Sequence, residues 1–159
     1  MRAKKQKKKP ILREKLSVYL GPPPKASSEH VSKSMKSNRA KGTKPELLFR
    51  KALFAAGIRG YRLNWPNIPG SPDIGFVGRK IAIFVNGCYW HRCPKCNLPL
   101  PKTNKDFWEK KFLRNIERDK LKRERLQKLG WKVVTIWECE IKKDTTEAVT
   151  KVKKALNLI

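Results

Sequence analysis

Lys80-Ile81-Ala82-Ile83-Phe84-Val85 runs straight into Asn86-Gly87-Cys88-Tyr89-Trp90-His91-Arg92-Cys93-Pro94-Lys95-Cys96. The first six residues form a short apolar run rich in β-branched and aromatic side chains, which predicts a buried strand. From Val85 to Cys96 the chain packs three thiols, two adjacent aromatics and one of its two histidines into twelve residues. The end of a central strand is where α/β folds place their chemistry. The fourth and last cysteine, Cys139, follows a second predicted strand, Trp131-Lys132-Val133-Val134-Thr135-Ile136-Trp137.

The chain has 159 residues, enough for one domain and a tail, and the stretch from Pro45 onward can bury a core of its own. Its 39 Lys and Arg against 13 Asp and Glu give a net charge of +26, with a pI near 10.4. That excess, interleaved with aromatics, points to a polyanion, and to nucleic acid ahead of a membrane surface. No segment approaches the roughly 18 apolar residues of a spanning helix. The basic start, Lys4-Lys5-Gln6-Lys7-Lys8-Lys9, is followed by Ile11-Leu12-Arg13-Glu14-Lys15-Leu16, which charge interrupts, so it is not read as a signal peptide. Without secretion the cysteines are expected reduced or metal-bound rather than paired.

Residues 1–30 read as a basic, flexible arm and 31–159 as the folded domain. Gly21-Pro22-Pro23-Pro24 breaks local structure, and residues 1–44 carry 14 Lys and Arg against Glu14 and Glu29. A first helix is expected from Thr43-Lys44-Pro45-Glu46, with Thr43 capping, Glu46 completing a capping box and Gly57 closing it. Its buried face is expected to carry Leu48, Ala52 and Ala55, flanked by Phe49 and Leu53. Tyr61-Arg62-Leu63 reads as a short strand, and 73–77 pairs with 80–85 as a hairpin across Gly78-Arg79-Lys80. A long helix is expected over about 104–129, capped by Thr103 with Asp106 and ended by Gly130. Trp108, Phe112 and Ile116 share a face of it, with Phe112 and Ile116 on the sheet. Its outer face is strongly positive, with eleven Lys and Arg against five acids from Lys102 to Lys128. A last helix starts at Asp144, with Glu147 as box partner, and buries Val149, Val152 and Leu156. The order predicts an α/β fold, a central mixed sheet flanked by helices.

Cys93-x2-Cys96 is a chelating knuckle, Cys88 lies five residues before it, and Cys139 returns from a distant strand. Four thiolates suit a closed, tetrahedral, structural Zn²⁺ site that leaves no open position for catalysis. Asp73, after the breaker-rich Ile68-Pro69-Gly70-Ser71-Pro72, sits at a strand mouth, where a carboxylate can hold a hard divalent cation that activates water. The bland reading is a turn aspartate bonded to its own backbone. His91, in the metal-bound loop, could shuttle a proton or be a satisfied structural residue. Tyr89 and Trp90 are neighbours that should point apart, so one at least is expected to be exposed and able to stack on or wedge between bases.

The chain resembles the very short patch repair DNA mismatch endonucleases. The likeness covers about residues 30–142. It rests on Ser32-Lys33-Ser34-Met35, Thr43-Lys44-Pro45-Glu46, Gly70-Ser71-Pro72-Asp73, Ile83 through His91, Phe107-Trp108, Asn115-Ile116-Glu117-Arg118-Asp119, Leu129-Gly130-Trp131 and Trp137-Glu138-Cys139. The resemblance implies a restriction-endonuclease-like fold and Mg²⁺-dependent hydrolysis of the phosphodiester 5′ to the T of a T:G mismatch, the lesion left by deaminated 5-methylcytosine. It matches Asp73 to the metal-binding aspartate, Val85 to a position near the metal that offers only its carbonyl, and His91 to the general acid–base. It matches Glu46 and Asp119 to further active-site acids, Asp119 orienting His91. Tyr89, Trp90 and Trp108 match the aromatics that wedge into DNA, and Cys88, Cys93, Cys96 and Cys139 match the zinc ligands.

The resemblance also implies a monomer in the cytoplasm, at the nucleoid of a bacterium or archaeon, linked in function to a cytosine-5 methyltransferase and a repair polymerase. Where the family pattern has Thr-His this chain has Val85-Asn86, and the (D/E)xK signature of related nucleases is absent from the 80–85 strand. A sequence-specific restriction-type endonuclease of the same fold, and a zinc-stabilised DNA-binding protein without catalysis, stand as the alternatives.

Overall fold

A computed structural model describes residues 20–39 and 41–159; most of the expected arm, residues 1–19, lies outside the described residues. Four strands form one sheet in the order β1 (Arg62–Leu63), β2 (Ile74–Phe76), β3 (Ile81–Asn86) and β4 (Lys132–Trp137). β1 with β2 and β2 with β3 are antiparallel, while β3 and β4 are parallel over Ile81↔Lys132 to Asn86↔Trp137. A parallel pair needs a long crossover. Here it is the 24-residue helix α3, Lys105–Lys128. The expected mixed sheet with flanking helices is the fold found.

Side chains alternate across β3. Ile81 and Ile83 face a core with Phe49 and Leu53 of α2 (Lys44–Ala55), Ile136 of β4, and Val149 and Val152 of α5 (Thr145–Ala155). Ala82 faces the other way, to a smaller core with Ile68 and Leu126, on which Phe84, Trp131 and Val133 also pack. Burial on both faces explains why β3 reads as a continuous apolar run rather than an alternating one. The hairpin turn is a 3-10 segment, Val77–Arg79, closed by Lys80 in the left-handed region at φ 49°. A Cβ at Gly75 would lie 2.6 Å from Ile68 Cδ1, so a side chain there would require that core isoleucine to shift.

α2 starts as its sequence dictates. The Thr43 hydroxyl donates to Glu46 Oε1 at 2.8 Å, the Gly42 N–H donates to Glu46 Oε2 at 2.9 Å, and Gly57 follows the helix at φ +77°. Its buried face differs from expectation. Phe49 and Leu53 are fully buried, Ala52 is half-buried, and Leu48 and Ala55 face solvent. The helix meets the sheet by the 49/53 line, so the large flanking residues are the anchors and the small ones lie at the rim. Two helices were not expected. The nine-residue α1, Glu29–Ser37, is capped by the Ser28 side chain, buries none of its residues, and spans the expected boundary at 30/31. α4, Glu138–Lys143, is a single short element that turns the chain from β4 into α5.

α3 holds two corrections. Thr103 does not cap it; the cap position is Asn104, at φ 52°, without a side-chain hydrogen bond. Ile116 is exposed, although Phe112 is buried. The inward line of α3 is Phe112, Asn115, Asp119, Lys122, Leu126, a 3–4–3–4 spacing with polar residues at its centre. A strict four-residue step, as in Trp108-Phe112-Ile116, drifts about 40° per step away from such a line. Leu126→Ala should therefore cost about 2–5 kcal/mol in urea unfolding. Ile116→Ala should stay within about 0.5 kcal/mol of the parent. An equal loss at both positions would reverse this assignment of the inward face.

Candidate active site

β3 and β4 end side by side, with Asn86 opposite Trp137. The segments that follow them carry the cysteines, so the parallel register itself brings Cys88 next to Cys139. The Cys139 N–H donates to Cys88 Sγ at 3.3 Å, and the Cys88 N–H donates to Glu138 Oε2 at 3.2 Å. The Sγ atoms of Cys88, Cys93, Cys96 and Cys139 all lie within 4.8 Å of one another, and Cys93 and Cys139 are 3.9 Å apart. Tetrahedral ligands at about 2.3 Å from zinc stand about 3.8 Å apart, so the tetrad fits a metal of that size. Burial pushes the Cys88 thiol up, and neighbouring thiols of the tetrad add to it; a bound cation reverses that preference.

A second network holds the same loop. Glu140 is buried, with its Oε1 2.7 Å from Lys95 Nζ and 2.6 Å from Lys151 Nζ, while its Oε2 accepts the Trp137 N–H at 3.1 Å. Burial alone would raise its pKa, but the two ammonium groups and the N–H outweigh that and hold it at about 2. Lys95 lies between Cys93 and Cys96, so the metal loop is tied to α5 as well as to α4.

The loop is a tight coil, with the His91 N–H on the Gly87 carbonyl at 3.1 Å and the Cys93 N–H on the Cys88 carbonyl at 2.9 Å. Coiling overturns the expectation that Tyr89 and Trp90 point apart. Their rings meet edge to face with centroids 5.3 Å apart, both are half-buried, and both contact Phe112. Trp108 joins them at 5.9 Å from Trp90, and Phe107 lies beside Trp108. The Lys111 ammonium sits 5.2 Å from the Trp108 ring centroid. The three aromatics matched to the DNA wedge thus form one half-buried cluster at the N-terminal end of α3. Asn115 closes it by donating to the Trp90 carbonyl at 2.9 Å.

His91 Nδ1 is hydrogen-bonded to Asp119 Oδ2. In the neutral tautomer with Nδ1–H donating to this carboxylate, Nε2 is the ring's free acceptor. Asp73 Oδ2 accepts the Val85 N–H at 2.7 Å, which ties β2 to the end of β3. Glu46, Asp73 and Val85 line one hollow, with Arg50 and Asn64 at its side. Burial first, and Glu46 in addition, push the Asp73 pKa up to about 6, against the lowering effects of the Val85 N–H, Lys122 and His91. Two like charges facing one another in a half-buried hollow are what a divalent cation neutralises. Asp73 and Glu46 could hold it, with Val85 lining the same hollow. The fold thus assembles Asp73, Glu46, Val85, His91 and Asp119 in one region. Glu46 keeps its capping-box bonds there, so its structural and its chemical readings coexist.

Lys122 was not singled out in the sequence. It lies with Asp119 and Asn86 in a hollow between α3 and the sheet, and its charge acts on both Asp73 and Asp119. The signal was its spacing from Asp119, which at i, i+3 puts both on one helical face.

Several known proteins resemble this chain. The family model described as DNA mismatch endonuclease Vsr matches residues 25–98. The Type II nicking enzyme V.NaeI of Lentzea aerocolonigenes is 42% identical over 123 residues, 74% of this chain and 73% of that protein. The DNA mismatch endonuclease Vsr of Escherichia coli (strain K12) is 34% identical, over 76% of this chain and 78% of that protein. Among solved structures, the homing endonuclease I-Bth0305I catalytic domain aligns with a TM-score of 0.49 at 23% identity, over 72% of this chain and 94% of that chain.

Two outcomes are expected of the isolated protein. Mass spectrometry under non-denaturing conditions should find one metal ion per chain, and its removal by chelator should free four thiols to a thiol reagent. A chain with no metal and four titratable thiols as purified would remove the tetrad as a metal site. Asp73 binds its proton more tightly folded (about 6) than unfolded (3.8), so metal-free stability falls as pH rises through that window. Asp73→Asn should therefore be more stable than the parent by about 2–3 kcal/mol at pH 8, and equal to it below about pH 4. Urea unfolding at the two pH values checks this, and a constant difference would refute the sign.

Proposed function

The chain belongs to the DNA mismatch endonuclease Vsr family, and from that premise we propose that it nicks the phosphodiester 5′ to the T of a T:G mismatch, so beginning very short patch repair of deaminated 5-methylcytosine. It is a DNA endonuclease, a hydrolase of phosphodiester bonds. The observation that carries the finer reading is the His91–Asp119 pair, held by the metal loop and α3 beside the Asp73–Glu46 hollow.

Asp73, with Glu46 and the backbone of Val85, would hold a Mg²⁺, which would supply charge neutralisation at the phosphate and a more acidic water. The chain's residues do the rest. Asp119 fixes the His91 tautomer, and His91 Nε2 takes the proton of the attacking water. The water oxygen bonds to phosphorus, one P–O ester bond breaks, and the leaving oxygen takes up a proton. Cys88, Cys93, Cys96 and Cys139 would hold a structural Zn²⁺, and the loop they anchor would keep His91 in place. Tyr89, Trp90 and Trp108 form the wedge beside the mismatch, where an apolar face costs unstacking and gains a bent duplex. The positive outer face of α3 supports phosphate contacts along double-stranded DNA. No helix among the described residues is long and apolar enough to cross a membrane. We place the protein in the cytoplasm as a monomer, working with a cytosine-5 methyltransferase and a repair polymerase.

The relatives named as Type II nicking enzymes favour a second reading, in which flanking sequence rather than the mismatch sets the site of the nick. End-labelled duplexes with T:G, T:A or C:G at one position, incubated with Mg²⁺, separate the two. The expected result is a nick in the thymine strand of T:G alone, lost by at least about 1,000-fold in Asp73→Ala with duplex binding retained. Equal nicking of T:A would overturn the mismatch reading, and cutting of both strands would make it a restriction-type enzyme.

A further inference from the structure

Lys122 projects from the C-terminal half of α3 into the hollow between that helix and the sheet. Its stem is confined. A Cβ at Gly70, which has φ +78°, would lie 3.2 Å from both Cβ and Cγ of Lys122. Only a glycine in that left-handed turn lets the lysine stem pass so close to the loop before Asp73. Its ammonium is 5.9 Å from the Phe84 ring centroid, within cation–π reach of a ring on β3. Burial, and then Arg118, work against its protonation, while Asp119 and Asp73 favour it. Those two carboxylates belong to different strands of the chemistry: one faces the metal hollow and the other orients His91. Among the described residues no carboxylate comes within salt-bridge distance of the Lys122 ammonium.

A half-buried ammonium without an ion-pair partner is a costly arrangement for a folded protein to keep. Solvent-facing lysines are abundant on α3 and would have served solubility equally well. We propose that Lys122 contacts the scissile phosphodiester and neutralises the charge that develops on its non-bridging oxygens, which makes it a catalytic residue beside Asp73 and His91. The anion it lacks in the free protein is then the substrate phosphate. Preorganised cations aimed at developing charge act most strongly where water is excluded, and removing one such donor typically slows an enzyme by about 100–1,000-fold.

This inference rests on the nuclease reading above, and the experiment separates the two. Single-turnover nicking by the wild type, Lys122→Met and Lys122→Arg is measured on whichever of the T:G, T:A and C:G duplexes the wild type nicks fastest. Duplex affinity is measured in parallel with Ca²⁺. Lys122→Met should nick at least about tenfold more slowly at saturating duplex with its affinity changed less than about fivefold, and Lys122→Arg should recover most of the rate. A Lys122→Met rate within tenfold of wild type would overturn the proposal while leaving the nuclease reading intact. If the wild type nicks none of the three duplexes, that reading falls instead. In that case, or if Lys122→Met does not fold, reductive methylation of the wild-type chain with and without duplex decides, with peptides mapped by mass spectrometry. Labelling of Lys122 that falls at least about fivefold on duplex binding, while exposed Lys120 is protected less, supports the phosphate contact. Unchanged labelling overturns it.

Discussion

The parallel pairing of β3 with β4 is the constraint on which the rest depends. It sets Asn86 beside Trp137, and the next residues of both strands leave the sheet at the same end. From that end come Cys88 on one side and Glu138 and Cys139 on the other, joined by two hydrogen bonds from backbone N–H groups to the Glu138 carboxylate and the Cys88 sulfur. The tetrad, the Glu140 network and the coiled loop then leave His91 little freedom. Its partner Asp119 arrives on α3, the crossover that parallel pairing itself requires. One topological feature thus supplies the cysteine tetrad, the histidine and the helix that carries its carboxylate partner.

The electrostatics follow from the same placement. A protein of net charge +26 has ample cations for phosphate, so affinity for DNA is not where its acids matter. The acids near the site are grouped with opposite environments. Glu140 is held far on the ionised side by two lysines, where it serves structure. Asp73 is pushed up to about 6, because burial and Glu46 outweigh its single backbone donor. Environments that drive carboxylates apart in this way mark which are braces and which are poised for a ligand.

Much of this was legible in the sequence, and the failures have physical causes. The capping box of α2, the hairpin, the two principal strands and Gly130 rest on short-range rules of spacing and capping, and these hold; the grouping of distant Cys139 with the Cys88–Cys96 loop came from counting all four thiols, and the structure brings them together. The buried face of α2 was misread because burial there follows the large side chains Phe49 and Leu53, not the smoothest periodic set. Ile116 was misread because the inward line of α3 is polar at its centre, and an apolar period cannot see Asn115, Asp119 and Lys122. The shared cluster of Tyr89 and Trp90 escaped because alternation applies to strands, whereas the loop coils. The grouping of Glu46 with Asp73 and of His91 with Asp119 was implied by the resemblance alone. Those pairs are 27 and 28 residues apart in sequence, and no local pattern brings them together.

The substitution of Val85-Asn86 for the Thr-His of the family pattern acquires a sense from the two faces of β3. Val85 lines the Asp73 hollow and Asn86 lines the Lys122 hollow, so the two departures fall on opposite sides of the strand. At Val85 the lost hydroxyl leaves the backbone, and that backbone already binds Asp73 through its N–H. At Asn86 the lost imidazole removes a group that could carry positive charge. Asn86 is buried beside Lys122, whose ammonium stands in that same hollow. A neutral amide there avoids placing a second cation against a half-buried lysine, which would cost more than either charge alone. Val85 and Asn86 thus differ from that pattern without unpaired polar burial: one keeps its backbone bond to Asp73, and the other sits as a neutral amide beside Lys122.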